Sequence, residues 1–252
     1  MGKHLTNYGY TRVVSRHRNE FLNRPALQFL YEEWAIRIKR HLPSVEGRCI
    51  ELGCGSGALS QYLPNFAKTD IGKQNWIDEV VDACNMPYKD STCAGIVAVD
   101  VLHHLPYLTN FFNEVQRTLT IGGRLILLEP YISKASYWFY RFLHHEPLDM
   151  KVSAFDPVLQ TDRLSGGPCN EALPTLAFVH QREEFNRKWP SLKIITSELS
   201  DIVVYPLTGG FSKPTLIPAS LVKPLVKFEH FALKLLGKFA ALRILVVIEK
   251  EY

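Results

Sequence analysis

The feature that most constrains this chain is the run at residues 50–57, which reads Ile-Glu-Leu-Gly-Cys-Gly-Ser-Gly. Gly53, Gly55 and Gly57 permit positive φ angles and carry no side chain, so the backbone can turn sharply and contact a ligand directly. A helix that begins around Ala58 would offer free N–H groups to an anion. The run therefore predicts a strand, a loop that binds a nucleoside-type cofactor, and a helix.

Two acidic residues accompany this loop. Glu51 precedes the glycines, and Asp70 closes the next predicted strand. The glycines alone also fit a degenerate dinucleotide pattern through Gly53, Gly55 and Ala58, so an NAD-dependent oxidoreductase is an alternative. A carboxylate beside a pyrophosphate would repel it, whereas a carboxylate near a methionine ammonium attracts it. Glu51 therefore favours a cofactor that carries an amino acid.

This combination of loop and acids resembles the class I S-adenosylmethionine-dependent methyltransferases. The pair Asp82-Ala83 resembles the point after the third strand where that family meets the adenine, and Asp100 ends the fourth strand. The resemblance is close over residues 48–130 and implies that S-adenosyl-L-methionine is the cofactor. It implies methyl transfer to an O or N atom of a small molecule, saccharide or lipid precursor. A cofactor-binding protein without methyltransferase activity is the alternative. The implied cofactor-binding residues are Glu51, Gly53, Gly55, Gly57, Asp70, Asp82, Ala83 and Asp100.

Apolar runs after the loop give the order strand, loop, helix, three strands, helix, strand, and such alternation implies a parallel sheet. Together with the resemblance, this order predicts an α/β, Rossmann-like, mostly parallel seven-stranded sheet with helices on both faces. In this family the last strand would run antiparallel. The predicted elements after the loop region are a strand at Ala94–Val99, a helix at Leu108–Leu119 that Gly122-Gly123 ends, and strands at Arg124–Glu129, Leu192–Thr196 and Leu242–Ile248.

The chain length of 252 residues fits a single methyltransferase domain, 1–252, better than two independent domains. Pro25 suits the first turn of a helix that runs through Arg40, and Tyr10 lies in a segment before it that could reach an acceptor. The predicted regions are an N-terminal helical cap at 1–47, a cofactor-binding core at 48–130, an insertion for substrate or lid at 131–190 between strands 5 and 6, and C-terminal strands with an amphipathic helix at 191–252.

The insertion is expected to choose the substrate. It begins with a helix rich in aromatic residues and then reaches His144-His145-Glu146, and Asp156 to Pro174 is predicted to be a loop that could act as a lid. Adjacent side chains point apart on a helix, and no third ligand has a recognisable spacing, so no metal site is predicted.

Methyl transfer needs a base only when the acceptor loses a proton, and histidine is the side chain best suited to that role near neutral pH. By position after the fourth and fifth strands and in the insertion, the candidate catalytic residues are His104, His145 and Glu129, with His103 and His144 beside them. Each of these residues also has a purely structural interpretation.

Residues 221–240 form the other informative element. Four lysines fall on one side of this predicted helix, and apolar residues occupy an arc of about 200°. An arc this wide favours packing on the sheet, and peripheral contact with an anionic membrane is the alternative.

Composition supports a soluble, cytoplasmic protein with reduced thiols. The chain has no run of 18 apolar residues and no apolar signal core, and its five cysteines show no C-x-x-C spacing. Basic termini flank a more acidic middle, but no zinc-finger or RNA-binding pattern occurs. We therefore expect a small-molecule acceptor and no nucleic-acid partner.

Overall fold

A mixed seven-stranded sheet forms the centre of the protein. A computed structural model of the chain describes residues 7–156, 160–161 and 167–252. The strands are β1 (Arg48–Leu52), β2 (Ala67–Asp70), β3 (Glu79–Val80), β4 (Cys93–Val99), β5 (Leu119–Pro130), β6 (Gln160–Thr161), β7 (Pro168–Cys169), β8 (Leu192–Ser200) and β9 (Arg243–Lys250). In the sheet they lie in the order β3-β2-β1-β4-β5-β9-β8, while β6 and β7 pair with each other.

The strand directions confirm the predicted topology. The pairs from β3 through β5 are all parallel, and β9 runs antiparallel to both of its neighbours. The order of strands along the chain reverses between β1 and β4. In open α/β sheets this reversal opens a crevice at the carboxyl ends of the strands, where ligands bind.

Helices cover both faces of the sheet. They are α1 (Asn7–Asn23), α2 (Pro25–Lys39), α3 (Leu108–Thr118), α4 (Lys134–Leu143), α5 (Leu173–Thr175), α6 (Arg182–Lys188), α7 (Val204–Thr208) and α8 (Ala219–Ala240). Short 3₁₀ turns occur at Ser60–Tyr62 and Leu102–His104, and a π-helical turn at Leu176–His180 follows α5. Within the described ranges, no helix has both the length and the apolarity needed to cross a membrane.

The two faces of β5 show how the core is divided. Leu125 and Leu127 pack into a cluster with α3, whereas Ile126 and Leu128 pack into a cluster with α2. Successive strand residues point to opposite faces, so a strand buried on both sides contributes to two cores. The helix predicted from Pro25 is confirmed as α2, and one of its faces is buried through Leu27, Leu30, Tyr31, Trp34 and Ile38.

The helix predicted from Ala58 does not form. The 3₁₀ turn Ser60–Tyr62 takes its place, and the chain then enters β2. Pro64 explains the difference, because a proline disfavours helical geometry in the residue before it and so leaves too few residues for an α-helix after Gly57. The loop therefore lacks a long helix whose dipole could face an anion.

Gly122-Gly123 does not end α3, which stops at Thr118. The two glycines lie within β5, where the register with β4 shifts between Cys93 and Gly95. A Cβ on Gly123 would lie 2.8 Å from the Thr120 carbonyl oxygen. The glycines thus permit an irregularity in the strand. The prediction that they end the helix is wrong.

Helix α8 contacts the sheet at β8, as the sequence favoured, but it does not bury its wide apolar arc. Its buried residues are Val222, Val226, Glu229 and Gly237, a narrow set. This narrow face packs against α2, α4 and β8. Most of the large apolar side chains of α8 are therefore exposed.

Candidate active site at the carboxyl edge of the sheet

The glycine loop leaves β1 at the crevice. Gly53 and Gly55 have φ angles of +63° and +49°. A Cβ on Gly53 would lie 2.5 Å from Cγ2 of Val101, whereas a Cβ on Gly55 would have the Gly53 carbonyl oxygen, at 3.8 Å, as its nearest neighbour. The absence of a side chain is therefore required for packing at Gly53, and at Gly55 it leaves space beside the backbone.

Asp70 holds this loop in place. Its carboxylate accepts hydrogen bonds from the backbone N–H of Gly55 at 2.8 Å and of Gly72 at 2.9 Å. The hydroxyl of Tyr10 donates to the same carboxylate at 2.8 Å. Asp70 is 1% exposed. Burial of Tyr10, together with the negative charge of Asp70, raises the pKa of Tyr10 above its usual value. A ligand that used Asp70 would have to share it with Tyr10 or displace Tyr10.

Helix α1 covers the loop, as expected of a cap. The Arg18 guanidinium donates to the Ser56 carbonyl oxygen at 2.9 Å and lies 4.6 Å from the centre of the Trp76 ring. The Trp76 indole N–H donates to the Gly55 carbonyl oxygen at 2.9 Å. The segment that contains Tyr10 thus reaches the glycine loop.

Glu51 lies beneath the loop and is 3% exposed. Its carboxyl accepts a hydrogen bond of 2.6 Å from the Ser60 hydroxyl. Burial raises the pKa of Glu51 to about 7, and the nearby charge of Asp70 contributes to that rise. The attraction that Glu51 could exert on an ammonium group therefore depends on pH near neutrality.

Asp82 and Ala83 lie in a turn after β3. The Asp82 carboxylate accepts a hydrogen bond from the Cys84 backbone N–H at 2.8 Å, and an isolated bridge joins Asp82 to Asn85. Asp82 is exposed, and Ala83 is buried. The turn thus presents a carboxylate to the solvent beside a small residue.

Asp100 follows β4 with a positive φ of 57°. Its Oδ1 lies 2.5 Å from Nη2 of Arg243, which is buried and lies over the rings of Trp34 and Tyr205. The sequence did not reveal this pairing, although an arginine in the apolar final strand signals a buried partner. The resemblance implies that Asp100 binds the cofactor, but one of its carboxylate oxygens already accepts a hydrogen bond from Arg243.

Glu129, at the end of β5, is 0% exposed. Its Oε1 accepts hydrogen bonds from the backbone N–H groups of Val101 and Leu102, both at 2.8 Å. Its Oε2 lies 2.7 Å from Nδ1 of His103. Burial opposes protonation of His103, but the bonds to Glu129 and Glu146 raise its pKa well above the usual value. Both Glu129 oxygens are therefore hydrogen-bonded by the chain itself.

Four histidines surround the carboxylate of Glu146. Its Oε2 lies 3.3 Å from Nε2 of His103 and 3.7 Å from Nδ1 of His144. Its Oε1 lies 3.6 Å from Nε2 of His104 and 3.6 Å from Nε2 of His145. The structure thus brings together the candidates that follow β4 with those of the insertion.

The argument that adjacent histidines point apart does not hold for His144 and His145. Both residues lie beyond the end of α4, and their rings are 4.7 Å apart. His144 also contacts the buried Glu171, whose pKa burial raises to about 7. Glu171 and Cys169, which lies near this group, were missed because neither has a regular spacing from the histidines. Part of the predicted lid, Asp156 to Pro174, namely residues 157–159 and 162–166, lies outside the described residues.

The central segment of the chain is similar to known protein families. Residues 50–127 match the family described as "Methyltransferase domain". This segment is therefore similar to methyltransferase domains. Sterol 4-C-methyltransferase strm-1 of Caenorhabditis elegans is 26% identical over 121 residues, which cover 38% of this chain and 36% of that protein. Squalene methyltransferase 1 of Botryococcus braunii is 26% identical over 137 residues, which cover 46% of this chain and 35% of that protein. The match thus spans little more than a third of either relative.

Solved methyltransferases share the fold. Geranyl diphosphate C-methyltransferase from Streptomyces coelicolor, solved with Mg²⁺, geranyl diphosphate and S-adenosyl-L-homocysteine, superposes with a TM-score of 0.50 at 12% identity. The superposition covers 89% of this chain and 80% of that one. A SAM-dependent methyltransferase from Archaeoglobus fulgidus gives 0.50 at 10% identity, over 87% and 94% of the two chains. The predicted Rossmann-like methyltransferase fold is thereby confirmed.

Proposed function

We propose that this protein binds S-adenosyl-L-methionine and transfers its methyl group to a small-molecule acceptor. The observation that carries the proposal is the loop Gly53–Gly57 at the reversal of strand order, tied by Asp70 and contained in a segment that matches methyltransferase domains. That segment weighs against the NAD-dependent alternative.

The residues at the crevice fit such a cofactor. The backbone beside Gly55 has room for a ligand, and Glu51 beneath it suits an ammonium when it is ionised. Asp70 would hold the ribose hydroxyls and the exposed Asp82 an adenine amine, with Ala83 leaving space for the ring. When bound, S-adenosyl-L-methionine supplies a methyl group that its sulfonium already activates.

The second half of the site would orient the acceptor. Orientation alone can contribute several kcal/mol to the lowering of a barrier, on the order of 7–11 kcal/mol in the best cases. If the acceptor is a hydroxyl or amine, Nε2 of His104 or His145 would take its proton, since both side chains are partly exposed. Glu129 would act as a positioning residue, because it fixes His103 and the turn that carries His104.

The relatives narrow the class of acceptor. Two of them are named for sterol and squalene methylation, and the structural neighbour was solved with geranyl diphosphate. We therefore propose a lipid-type small molecule. Methylation at oxygen or nitrogen is our prediction, and methylation at carbon, as in the names of the sterol and geranyl diphosphate enzymes, is the competing outcome.

The exposed face of α8 supports peripheral contact with an anionic membrane. Phe228, Phe231 and Leu235 are 65%, 65% and 75% exposed. Lys227 and Lys234, both exposed, border one edge of this apolar face at 100° per residue. Helix α4, which contacts α8, exposes the further aromatic residues Trp138 and Phe142. Helices that lie in the membrane–water interface typically combine two features. Their apolar side chains enter the headgroup region, and neighbouring lysines attract acidic lipids.

Vesicle flotation tests the membrane contact. The protein should float with vesicles that contain phosphatidylglycerol, should float less at high salt, and should not float with pure phosphatidylcholine. A double variant with Phe231→Ser and Leu235→Ser should stay in solution, whereas Ile121→Ser, which changes an exposed residue outside α8, should float normally. Flotation that is equal in all three proteins would contradict the contact, as would dimerisation through this face in solution.

Calorimetry tests the methyltransferase assignment. S-adenosyl-L-homocysteine should bind in the micromolar range, about −8 kcal/mol, and NAD should bind far more weakly. Tighter binding of NAD would overturn the assignment. Binding without any methyl transfer to candidate lipids would instead support the alternative of a cofactor-binding protein.

Replacement of His145 by Ala separates chemistry from binding. We expect cofactor affinity to stay within about twofold while turnover falls by roughly 100-fold or more. A structural role predicts a lower melting temperature, with affinity and turnover falling together. Full activity in both His144→Ala and His145→Ala would remove these residues from the mechanism.

A further inference from the structure

Four ligand-type side chains meet where the insertion touches the core. His103 and His104 come from the turn after β4, Glu146 follows α4, and Cys169 lies in β7. One nitrogen, oxygen or sulfur atom from each of the four lies within 4.8 Å of every other. Cys169 and His103 are buried, and the other two are partly buried. No methyl-transfer step described above uses this combination.

We propose that His103, His104, Glu146 and Cys169 bind a divalent transition-metal ion of the zinc type. Imidazole, thiolate and carboxylate ligands in a set of four match the chemistry of zinc sites. A thiolate among them disfavours Mg²⁺ and Ca²⁺, which prefer oxygen ligands. The site shares His104 with the proposed methyl transfer, so a bound ion would occupy this histidine and leave His145 as the proton acceptor. The proposal does not otherwise depend on the methyltransferase assignment.

Two distances from the histidines to the Glu146 carboxylate are compatible with ligands around one ion, and the chosen atoms of all four residues lie within 4.8 Å of one another. Bonds of about 2.0–2.3 Å at tetrahedral angles place neighbouring ligand atoms about 3.3–3.6 Å apart. Nε2 of His103 and Nε2 of His104 lie 3.3 and 3.6 Å from the Glu146 oxygens. A hydrogen bond between an imidazolium and a carboxylate would be shorter, about 2.7–2.9 Å. The separation is therefore wide for a direct ion pair and suitable for a shared cation.

The hydrogen bond of the other His103 nitrogen also supports a metal site. Nδ1 of His103 lies 2.7 Å from Oε2 of Glu129, so its N–H donates to that buried carboxylate. In the neutral ring, Nε2 then carries a lone pair that faces Glu146. Metal-binding histidines usually donate their second N–H to a carboxylate or carbonyl, which fixes the ring and raises its basicity. Glu129 would serve in this way.

Two carboxylates lie close together beside this group. Glu146 is 11% exposed, and Glu171, in contact with it, is 1% exposed. Buried negative charges require compensation, either by protonated histidines or by a metal cation. The competing interpretation is thus a network of imidazolium and carboxylate groups with no affinity for metal. Because Glu146 and Cys169 belong to the insertion and the histidines to the core, a bound ion would tie the two regions together.

Cobalt titration distinguishes these interpretations. The full chain, treated with a chelator and then freed of it, should bind about one equivalent of Co²⁺ and develop visible d–d bands with a thiolate-to-cobalt charge-transfer band. Zn²⁺ should displace Co²⁺ and raise the melting temperature of the wild-type protein, whereas Mg²⁺ in large excess should do neither.

Cysteine variants identify the ligand. Cys169→Ser should lose the charge-transfer band and bind Co²⁺ at least roughly tenfold more weakly, about 1.4 kcal/mol. Cys49→Ser, which changes a half-buried cysteine in β1, should behave like the wild-type protein. If Cys169→Ser does not fold, the wild-type titration still decides the matter. Absence of Co²⁺ bands and of a Zn²⁺ melting shift would overturn the proposal, as would a charge-transfer band that survives in Cys169→Ser.

Discussion

The two halves of the crevice stabilise their buried acids in different ways. On the loop side, Asp70 accepts from backbone N–H groups, one of them fifteen residues away, and Glu51 accepts from Ser60, nine residues away. On the insertion side, Glu129 and Glu146 meet histidine side chains that the fold brings from different segments. The first half depends on local backbone geometry, and the second depends on how the insertion docks.

This contrast separates ligand binding from stability. A local loop can lose a side-chain contact and keep its shape, because neighbouring strands hold its ends. A network of buried side chains loses several partners at once when one member is removed. Substitutions on the loop side should therefore act mainly on cofactor affinity, and substitutions of buried acids on the insertion side mainly on unfolding.

Glu129→Ala should give the largest effect. The change leaves the N–H groups of Val101 and Leu102 and the ring of His103 without their acceptor, and breaking a buried pair of this kind costs about 3–5 kcal/mol. Urea unfolding with a chelator present measures the loss. Glu198→Ala is the control, because the Glu198 carboxylate that pairs with His41 is exposed. Its loss should cost less than about 1 kcal/mol. Equal losses in the two variants would erase the contrast.

Gly55→Val should come next, with the opposite signature. Cofactor affinity should fall by about 100-fold or more, on the order of 2.7 kcal/mol, because the branched side chain fills the space beside the backbone and disfavours the positive φ. Unfolding should change much less. Gly53→Val is the matched comparison, since its side chain would collide with Val101 and should mainly lower the melting temperature. If Gly55→Val binds the cofactor normally, the loop is not the cofactor site.

The same contrast explains what the sequence could predict. The glycine loop, Asp70 and the alternation around β4 and β5 could all be predicted from neighbouring residues. The sheet order confirms the alternation. The helix from Ala58 failed because Pro64 interrupts it, and Gly122-Gly123 was misread because glycine serves a strand irregularity as well as a helix end. Convergence of distant side chains leaves no periodic signal, so the Glu146 cluster required the tertiary structure.

Asp70→Ala tests the loop side with a milder change. If the carboxylate holds the ribose hydroxyls, cofactor affinity should weaken by about 1–3 kcal/mol, measured by calorimetry. Tyr10→Phe, which removes only the hydroxyl that donates to Asp70, serves as the comparison. It should change affinity less than Asp70→Ala does. A larger loss in Tyr10→Phe would show that the cap, and not the acid, makes the main contact.

The smallest expected effect is the pH dependence that Glu51 confers, and it has opposite signs for stability and for binding. Burial raises the pKa of Glu51 to about 7, above the roughly 4.3 of an unfolded chain. The folded protein therefore retains the proton more strongly, so this group's contribution to the free energy of unfolding is present at low pH and is lost as pH rises toward about 7.

Cofactor affinity should move the other way. Only the ionised carboxylate attracts the ammonium, so affinity should rise by about fivefold, on the order of 1 kcal/mol, as pH increases through about 7. Titration of the cofactor's own amino group is common to all variants, so Glu51→Gln provides the baseline. In that variant both the fall in stability and the rise in affinity should flatten. A wild-type affinity profile that coincides with that of Glu51→Gln would show that Glu51 shapes the loop without contacting the ammonium.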